Sequence, residues 1–286
     1  MSITLSQEEY ATAWRLITTT SSHGRNLETV LVDRVLPKLG DGPTLLDVGA
    51  GSGTVAQRLA RHFAALTLVE QNPAQIEAGR AALTASGARV FLGGFDEFDT
   101  DEKFDVVLCS HVLYHVPRER WSAFLDRLLG FVRPGGVCVV LLVGGPTDGR
   151  GAVLPCEPGR PAPAPPSTTH YTLRRDFTSD AVDTEMFVKE LATRHEPYEV
   201  VSTVNRWTAA TPDEMHAICR FVVYEDCFTA AELAALSEEE LRLVDERIRG
   251  HARRCPRVDG RHQLEMEDGV VIISPRSGSR SQPDAE

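Results

Sequence analysis

The stretch that decides the fold is LLDVGAGSGT at residues 45–54, where an apolar run leads into three alternate glycines and then a helical pattern. Glycines at a strand-to-helix turn permit positive φ and let a ligand approach the backbone closely. The helix that follows offers unpaired N–H donors at its N-terminus. The segment therefore predicts a strand, a ligand-binding turn and a helix.

Strand and helix patterns alternate from this segment onward. The predicted strands cover residues 44–48, 66–69, 89–92, 104–110 and 137–143, and the predicted helices cover 55–63, 73–86 and 118–132. The last two strands are apolar with little alternation, as expected where a sheet is covered on both faces. Alternation with short turns predicts an α/β fold with a parallel sheet built from right-handed β-α-β units.

Composition excludes several classes of protein. The 286 residues carry 30 Lys and Arg against 41 Asp and Glu, a formal net charge of −11. That balance argues against nucleic acid or an anionic membrane surface as a partner. No apolar run reaches the ~20 residues that span a bilayer, and the N-terminus lacks a signal-peptide pattern. The six cysteines form no CxxC pair, so we expect no metal and a reduced, cytoplasmic protein.

An acid closes the second predicted strand. Glu70 follows the glycines by about 20 residues, where a carboxylate can accept both ribose hydroxyls of an adenosine cofactor. Three interpretations stay open: a nicotinamide dinucleotide site, a plain structural turn, and an S-adenosyl-L-methionine site. The dinucleotide fingerprint places its third glycine one residue later. S-adenosyl-L-methionine is favoured, because its carboxylate and ammonium suit the N–H groups of the glycine turn and the acid Asp47.

Later segments add candidates for the cofactor site. Phe95 and Asp96 follow the third strand, where the ring can pack on an adenine and the acid can accept from its amino group. Ser110 ends the fourth strand at the carboxyl edge, where ligands bind in open α/β sheets. Phe95, Asp96 and Ser110 therefore join the other cofactor-binding residues predicted directly from the sequence, which are Asp47, Gly49, Gly51, Gly53 and Glu70.

The glycine turn, Glu70, the FDVVLC run at 104–109 and the RPGG turn at 133–136 together resemble the class I S-adenosyl-L-methionine-dependent methyltransferase family. The resemblance covers residues 44–145. It implies a Rossmann-like sheet of seven strands, whose last two, expected at 198–207 and 269–274, pair antiparallel.

The rest of the chain is expected to surround that core. The further predicted helices cover residues 6–19, 25–39, 179–194, 211–227 and 229–253. We expect an N-terminal helical cap at 1–40, the cofactor-binding core at 41–145, a Pro-rich loop at 146–170, the remainder of the fold with a substrate-side helical insertion before the last strand at 171–274, and a disordered tail at 275–286.

A closer resemblance extends over nearly the full length, to histamine N-methyltransferase and its bacterial small-molecule relatives. It implies that Gln75 contacts the cofactor. The chain departs from that enzyme by having His23 where a substrate-binding glutamate is expected and His111 where a glutamine is expected, so histamine itself is not the expected acceptor. The expected substrate-side residues are Tyr10, Trp14, His23, His111, Tyr114, His115 and Phe221.

The function expected from these features is methyl transfer to a small-molecule acceptor by in-line displacement. An amine or amino-acid-like nitrogen is the first expectation, and a phenol or carboxylic acid oxygen is the alternative. His111 is the predicted base or orienting group, with His23 facing it, because imidazole titrates near neutral pH. A non-catalytic cofactor-binding subunit, RNA methylation and a nicotinamide dehydrogenase remain competing classes. A monomer or a homodimer is expected.

Overall fold

The structure is a computed structural model that describes residues 5, 7–144, 169–178, 182–194 and 196–275. Most of the predicted Pro-rich loop, the predicted tail from residue 276 and Ser6, the first residue of the helix predicted at 6–19, lie outside the described residues. Within them, none of the helices is both long and apolar enough to cross a membrane.

A single mixed sheet forms the centre of the described fold, with the order β3-β2-β1-β4-β5-β8-β6 and the short β7 paired to β8. Strands β1 to β5 are parallel, and β8 runs antiparallel between β5 and β6. The strands are β1 Thr44–Val48, β2 Ala65–Glu70, β3 Arg89–Leu92, β4 Phe104–Ser110, β5 Val132–Val143, β6 Tyr198–Ala209, β7 Arg257–Val258 and β8 Arg261–Ile273.

The predicted Rossmann-like α/β fold with an antiparallel end is confirmed, and two details differ. The sheet has eight strands rather than seven, because the two-residue β7 forms a hairpin with the start of β8. Strand β8 begins at Arg261, eight residues before the predicted start at 269. Its first half carries charged residues that hide its strand character, yet it pairs with the long strand β6 over its whole length.

Most helices follow the predicted pattern with shifted ends, but the helix at Thr169–Arg175 was not predicted, and the single helix predicted at 73–86 is two helices that meet at Gly79. They are α1 Gln7–Thr20, α2 His23–Val30, α3 Thr54–Leu59, α4 Pro73–Ala78, α5 Arg80–Ser86, α6 Trp121–Phe131, α7 Thr169–Arg175, α8 Thr184–Arg194, α9 Pro212–Asp226, α10 Ala230–Ala235 and α11 Glu238–Arg254. The single helix predicted at 229–253 is two helices, because Thr229 and Ser237 each form a capping box and so each begins its own helix.

Helices cover both faces of the sheet. On one face α6 and α8 bury Trp121 and Phe187, and on the other α2 and α3 bury Leu27 and Leu59. Both clusters include strand residues from the centre of the sheet. The central strands are therefore buried on both sides, which explains their continuous apolar sequences.

A third apolar cluster joins the N-terminal helix to the helices that precede β8. Helix α1 packs on α9 and on β6, and α11 packs on α9. Leu16, Met215 and Ile248 lie in this cluster and are nearly inaccessible to solvent. The first and last thirds of the described chain thus meet beside β6 and β8.

The turn between α1 and α2 is fastened to the sheet by a buried amide. Asn205 on β6, 1% exposed, accepts hydrogen bonds from Ser21 Oγ and from the Ser22 backbone N–H, both at 3.0 Å. Asn26 on α2 donates to the Val204 carbonyl at 2.8 Å. These bonds hold the first residue of α2, which is His23, at a defined place beside the sheet.

We expect Gly79→Ala to destabilise the protein, because a Cβ at Gly79 would lie 1.9 Å from the backbone oxygen of Ser52 in the glycine turn. Neither backbone can move without shifting the turn, so the free energy of unfolding should fall by about 1–3 kcal/mol. Chemical denaturation measures it. Gly40→Ala is the matched control, since a Cβ there meets nothing within 4 Å. Equal stability of the two variants would contradict the close packing of Gly79.

Candidate cofactor and acceptor site

The glycine turn after β1 has the backbone conformation that its sequence predicts. Gly49, Gly51 and Gly53 have φ of 74°, 57° and 71°, all in the left-handed region. A Cβ at Gly49 or Gly53 would come within 2.3 Å of a neighbouring side chain, whereas one at Gly51 would meet nothing within 4 Å. The turn is therefore packed on two sides and open at Gly51, where a ligand can approach the backbone.

Glu70 connects the end of β2 to this turn. Its side chain is buried, with Oε2 accepting from the Gly51 N–H at 2.8 Å and Oε1 accepting from the Asn72 N–H at 2.7 Å. Each carboxylate oxygen retains capacity for a further hydrogen bond. Gln75, on α4, has a buried Oε1 with no hydrogen-bond partner among the described residues. A buried amide oxygen without a hydrogen-bond partner can accept a hydrogen bond from a polar ligand.

Asp47 lies beneath the same turn and is almost inaccessible to solvent. Burial, together with the nearby Glu70 carboxylate, raises the pKa of Asp47 to about 7, while His23 partly opposes the shift. An ammonium group placed beside Asp47 would favour the ionised carboxylate and lower this pKa. The environment of Asp47 therefore suits the amino group of an amino-acid-like ligand.

Binding of S-adenosyl-L-homocysteine should strengthen roughly tenfold from pH 6 to pH 8, because Asp47 must release its proton to pair with the ligand ammonium. In the free protein, the raised pKa costs stability as the pH rises from about 4 to about 7, since the unfolded carboxyl ionises first. Calorimetric titration at both pH values tests the binding effect. Asp47→Asn should bind weakly at both, and a variant with the parent's pH dependence would refute the assignment.

Two histidines, a serine, a tyrosine and an aspartate meet at the end of the neighbouring strand β4. His23 Nε2 lies 3.2 Å from Ser110 Oγ, and His23 Nδ1 lies 3.5 Å from Asp268 Oδ2. His111 Nδ1 lies 3.1 Å from the Tyr114 hydroxyl, and His111 Nε2 lies 3.9 Å from Asp268 Oδ1. The centroids of the two imidazole rings lie 4.8 Å apart. We call these five residues the histidine cluster.

The electrostatics at His111 favour the uncharged imidazole. Burial lowers the pKa of His111 well below its usual value, and the positive potential of His23 and His170 lowers it further. Burial raises the pKa of Asp268, although His23 counteracts part of that shift. His111 keeps 28% of its side chain exposed, so an acceptor can reach the imidazole.

The backbone at His111 is itself unusual. Its φ of 57° lies in the left-handed region, which a residue other than glycine adopts at a cost. The His111 N–H donates to the Leu141 carbonyl on β5 at 2.9 Å, and the Tyr114 hydroxyl accepts from the Val143 N–H at 2.6 Å. These bonds hold the turn after β4 against the end of β5, and so they fix the direction of the imidazole.

The remaining predicted site residues are not among the five of the histidine cluster. Phe95 packs against Phe124 and Phe131 on α6, and Asp96 accepts from Arg120 at 2.7 Å on the surface. His115 is exposed. Trp14 on α1 contacts Phe221 on α9, with ring centroids 5.9 Å apart. The side chain of Tyr10 lies outside the described residues. All these assignments stay predictions.

Sequence reasoning missed Asp268 and His170. Asp268 is fully buried on β8, and His170 is 1% exposed on α7, 3.6 Å from the Asp226 carboxylate. The predicted last strand began at Gly269, one residue too late to include Asp268. A signal was available, since Leu264, Met266 and Asp268 alternate along β8 and all three are buried. An acid in the position of an apolar residue indicates a special role.

Part of the chain, including the glycine turn, matches a known protein family. Residues 45–136 match the family described as methyltransferase domain. The match includes the glycine turn, Glu70 and the histidine-bearing turn after β4. A ubiquinone biosynthesis O-methyltransferase of Paramagnetospirillum magneticum is 36% identical over 107 residues, which cover 37% of this chain and 42% of that protein. The chain thus spans less than half the length of the curated relatives that it matches.

Comparison with solved structures concerns the fold. A candidate methyltransferase from Bacillus halodurans aligns with 87% of this chain and 99% of its own, with a TM-score of 0.54 and 15% identity. A methyltransferase from Thiobacillus denitrificans, solved with S-adenosyl-L-homocysteine, aligns with 95% and 92%, with a TM-score of 0.47 and 17% identity. The domain match identifies a methyltransferase domain within residues 45–136, and the Bacillus halodurans structure supports the fold alone. The closer resemblance to histamine N-methyltransferase stays a prediction.

Proposed function

We propose that the chain transfers the methyl group of S-adenosyl-L-methionine to a hydroxyl or other acidic oxygen of a small molecule. The observation that carries the proposal is the meeting of two groups at one sheet edge. The glycine turn with Glu70 closes β1 and β2, and the histidine cluster closes the adjacent strand β4. Open α/β sheets bind ligands at this edge, near the point where the strand order reverses.

The proposed cofactor side uses the residues around Gly51, where a Cβ would meet nothing within 4 Å. Glu70 would accept the ribose hydroxyls, and the N–H groups near Gly51 and the Asp47 carboxylate would hold the amino-acid part. Gln75 offers the buried Oε1 that has no partner among the described residues. When bound, S-adenosyl-L-methionine supplies a methyl group on a positively charged sulfur. The protein's task is to hold the acceptor atom in line with that methyl.

The proposed acceptor side is the histidine cluster. His111 and His23 are expected to orient the acceptor and to assist the loss of its proton, which must precede or accompany attack by oxygen. Ser110 connects the two sides, because it ends β4 and contacts His23. The O-methyltransferase activity named for the relatives from Paramagnetospirillum and Rickettsia supports an oxygen acceptor.

An amine acceptor, the first expectation from the sequence, is the second candidate. The observation that favours it is the fully buried Asp268 carboxylate, which could pair with a substrate ammonium. A substrate amine would have to lose its proton before attack, so the same histidines would serve it.

Release of S-adenosyl-L-homocysteine against matched acceptors tests the proposal. The panel pairs phenols with the corresponding anilines and benzylamines, and adds carboxylic acids and bulk RNA. Turnover with phenols or acids, but not with the paired amines, is the expected result. Turnover with amines alone would overturn the oxygen assignment, and turnover with RNA alone would overturn the small-molecule assignment. Tight binding of S-adenosyl-L-homocysteine without turnover on any class would favour the non-catalytic subunit.

A further inference from the structure

The carboxylate of Asp268 lacks the partners that a buried charge requires. Its side chain is 0% exposed, and neither of its oxygens has a hydrogen-bond partner among the described residues. His23 Nδ1, 3.5 Å away, is likewise buried without a partner. An isolated buried ion costs several kcal/mol. The two neighbouring imidazoles pair with Asp268 as ions only when they are protonated, so a cation bound beside the carboxylate would stabilise it whatever their protonation state.

Three donor groups surround one point in the histidine cluster. One ligand atom from each of His23, His111 and Asp268 lies within 4.8 Å of the others. A tetrahedral ion with bonds of about 2.1 Å separates its ligand atoms by about 3.4 Å. The distances from the two imidazoles to Asp268, 3.5 and 3.9 Å, are close to this value. All three ligand atoms lie within 4.8 Å of one another, so side-chain movements of up to about 1.4 Å would complete the coordination.

The far sides of both imidazoles are already occupied, as they are at metal sites. Metal-binding histidines usually donate their second N–H to a polar group, which fixes the ring. His23 Nε2 faces Ser110 Oγ at 3.2 Å, and His111 Nδ1 faces the Tyr114 hydroxyl at 3.1 Å. These contacts leave His23 Nδ1 and His111 Nε2 directed at Asp268. The left-handed backbone of His111 helps to hold that direction.

We infer that His23, His111 and Asp268 bind a divalent transition-metal ion of the zinc type, with one coordination position open to the acceptor. Two histidines and one carboxylate with an open position form the ligand set of catalytic zinc sites. The inference rests on the proposed function and deepens it: the ion, held by the two imidazoles, would take over from free imidazole the task of assisting the loss of the acceptor's proton. It also revises the expectation of no metal from the sequence. That expectation is based on cysteines closely spaced along the chain. The three donors proposed here come from α2, from the turn after β4 and from β8, which are far apart in sequence.

Such an ion specifies the acceptor class. A bound dication lowers the pKa of a hydroxyl on its open side, which prepares the oxygen for attack. A coordinated oxygen keeps a lone pair for the methyl group, whereas coordination uses the only lone pair of an amine. The ion therefore favours phenols, enols and carboxylic acids over amines.

Zinc binding to the full chain tests the inference without any measurement of activity. Chelator-treated parent protein should bind one Zn²⁺ per chain in competition with a chromophoric chelator. Asp268→Asn and His23→Gln should each weaken that binding by at least about 10-fold, the lower end for loss of a ligand or its support. His216→Asn is the matched control, because His216 pairs with Asp245 at 3.0 Å outside the cluster. Each variant is first checked for folding by its thermal unfolding.

Two results would overturn the inference: parent protein that binds no Zn²⁺, or equal Zn²⁺ affinity in the parent and both cluster variants. If Asp268→Asn fails to fold, His23→Gln alone decides. Binding of S-adenosyl-L-homocysteine by metal-free protein separates this inference from the proposed function. Methyl transfer by parent protein that binds no Zn²⁺ overturns the metal site and leaves the methyltransferase proposal intact, whereas Zn²⁺ binding without cofactor binding does the reverse.

Discussion

Replacing Glu70 by alanine should weaken the binding of S-adenosyl-L-homocysteine by about 10²–10⁴-fold. Two charge-assisted hydrogen bonds to the ribose contribute about 1.5–3 kcal/mol each, and 1.4 kcal/mol is a factor of ten. The side chain also accepts from the Gly51 and Asn72 N–H groups. Its loss therefore releases the glycine turn as well. Isothermal titration calorimetry gives the dissociation constants.

The control for this variant is another acid close in sequence. Glu77→Ala removes an exposed carboxylate on α4 that pairs with Arg80, so its cofactor affinity should equal that of the parent. Glu70→Gln, which keeps the size of the side chain and one acceptor oxygen, should fall between the two. Parent-like affinity of a folded Glu70→Ala would eliminate the ribose assignment.

Replacing His111 by asparagine should reduce kcat by about 10²–10⁴-fold while the affinity for S-adenosyl-L-homocysteine changes little. The range is that of general acid–base groups, and loss of a metal ligand would act in the same direction. Asparagine is the better substitution than alanine, because it tolerates the left-handed φ of 57° at this position. A fall in kcat can then be assigned to the loss of the imidazole rather than to backbone strain.

Single-turnover kinetics and calorimetry on one preparation separate the two effects. His62→Asn is the control, since His62 contacts Glu28 at 2.9 Å, outside the cluster. If His111→Asn kept the parent's kcat, the imidazole would have no part in transfer. If it lost cofactor affinity to the same degree as turnover, His111 would belong to the cofactor side.

Local sequence was enough to predict the cofactor side of the site. The glycine turn, Glu70 and Ser110 each end or follow a strand, and parallel strands place their carboxyl ends at one sheet edge. No knowledge of distant packing is needed for that conclusion, because the alternation of strands and helices already implies the parallel order. The motif from residue 45 to residue 54 has the expected backbone at all three glycines.

The acceptor side depends on contacts between distant parts of the chain. His23 reaches the sheet only because Asn205 on β6 anchors the turn that precedes α2. Asp268 reaches His111 because β8 pairs antiparallel with β5, with Asp268 opposite Val143. A register shifted by one residue would turn Asp268 to the other face of the sheet.

The sequence by itself thus determined the α/β fold, the glycine turn and the position of its acid, since each follows from periodicity and local backbone preference. Only the tertiary structure decided that two histidines and a buried aspartate share one point. That arrangement depends on the register of an antiparallel strand formed after a helical insertion, and no local pattern encodes the pairing of residues so far apart in the chain.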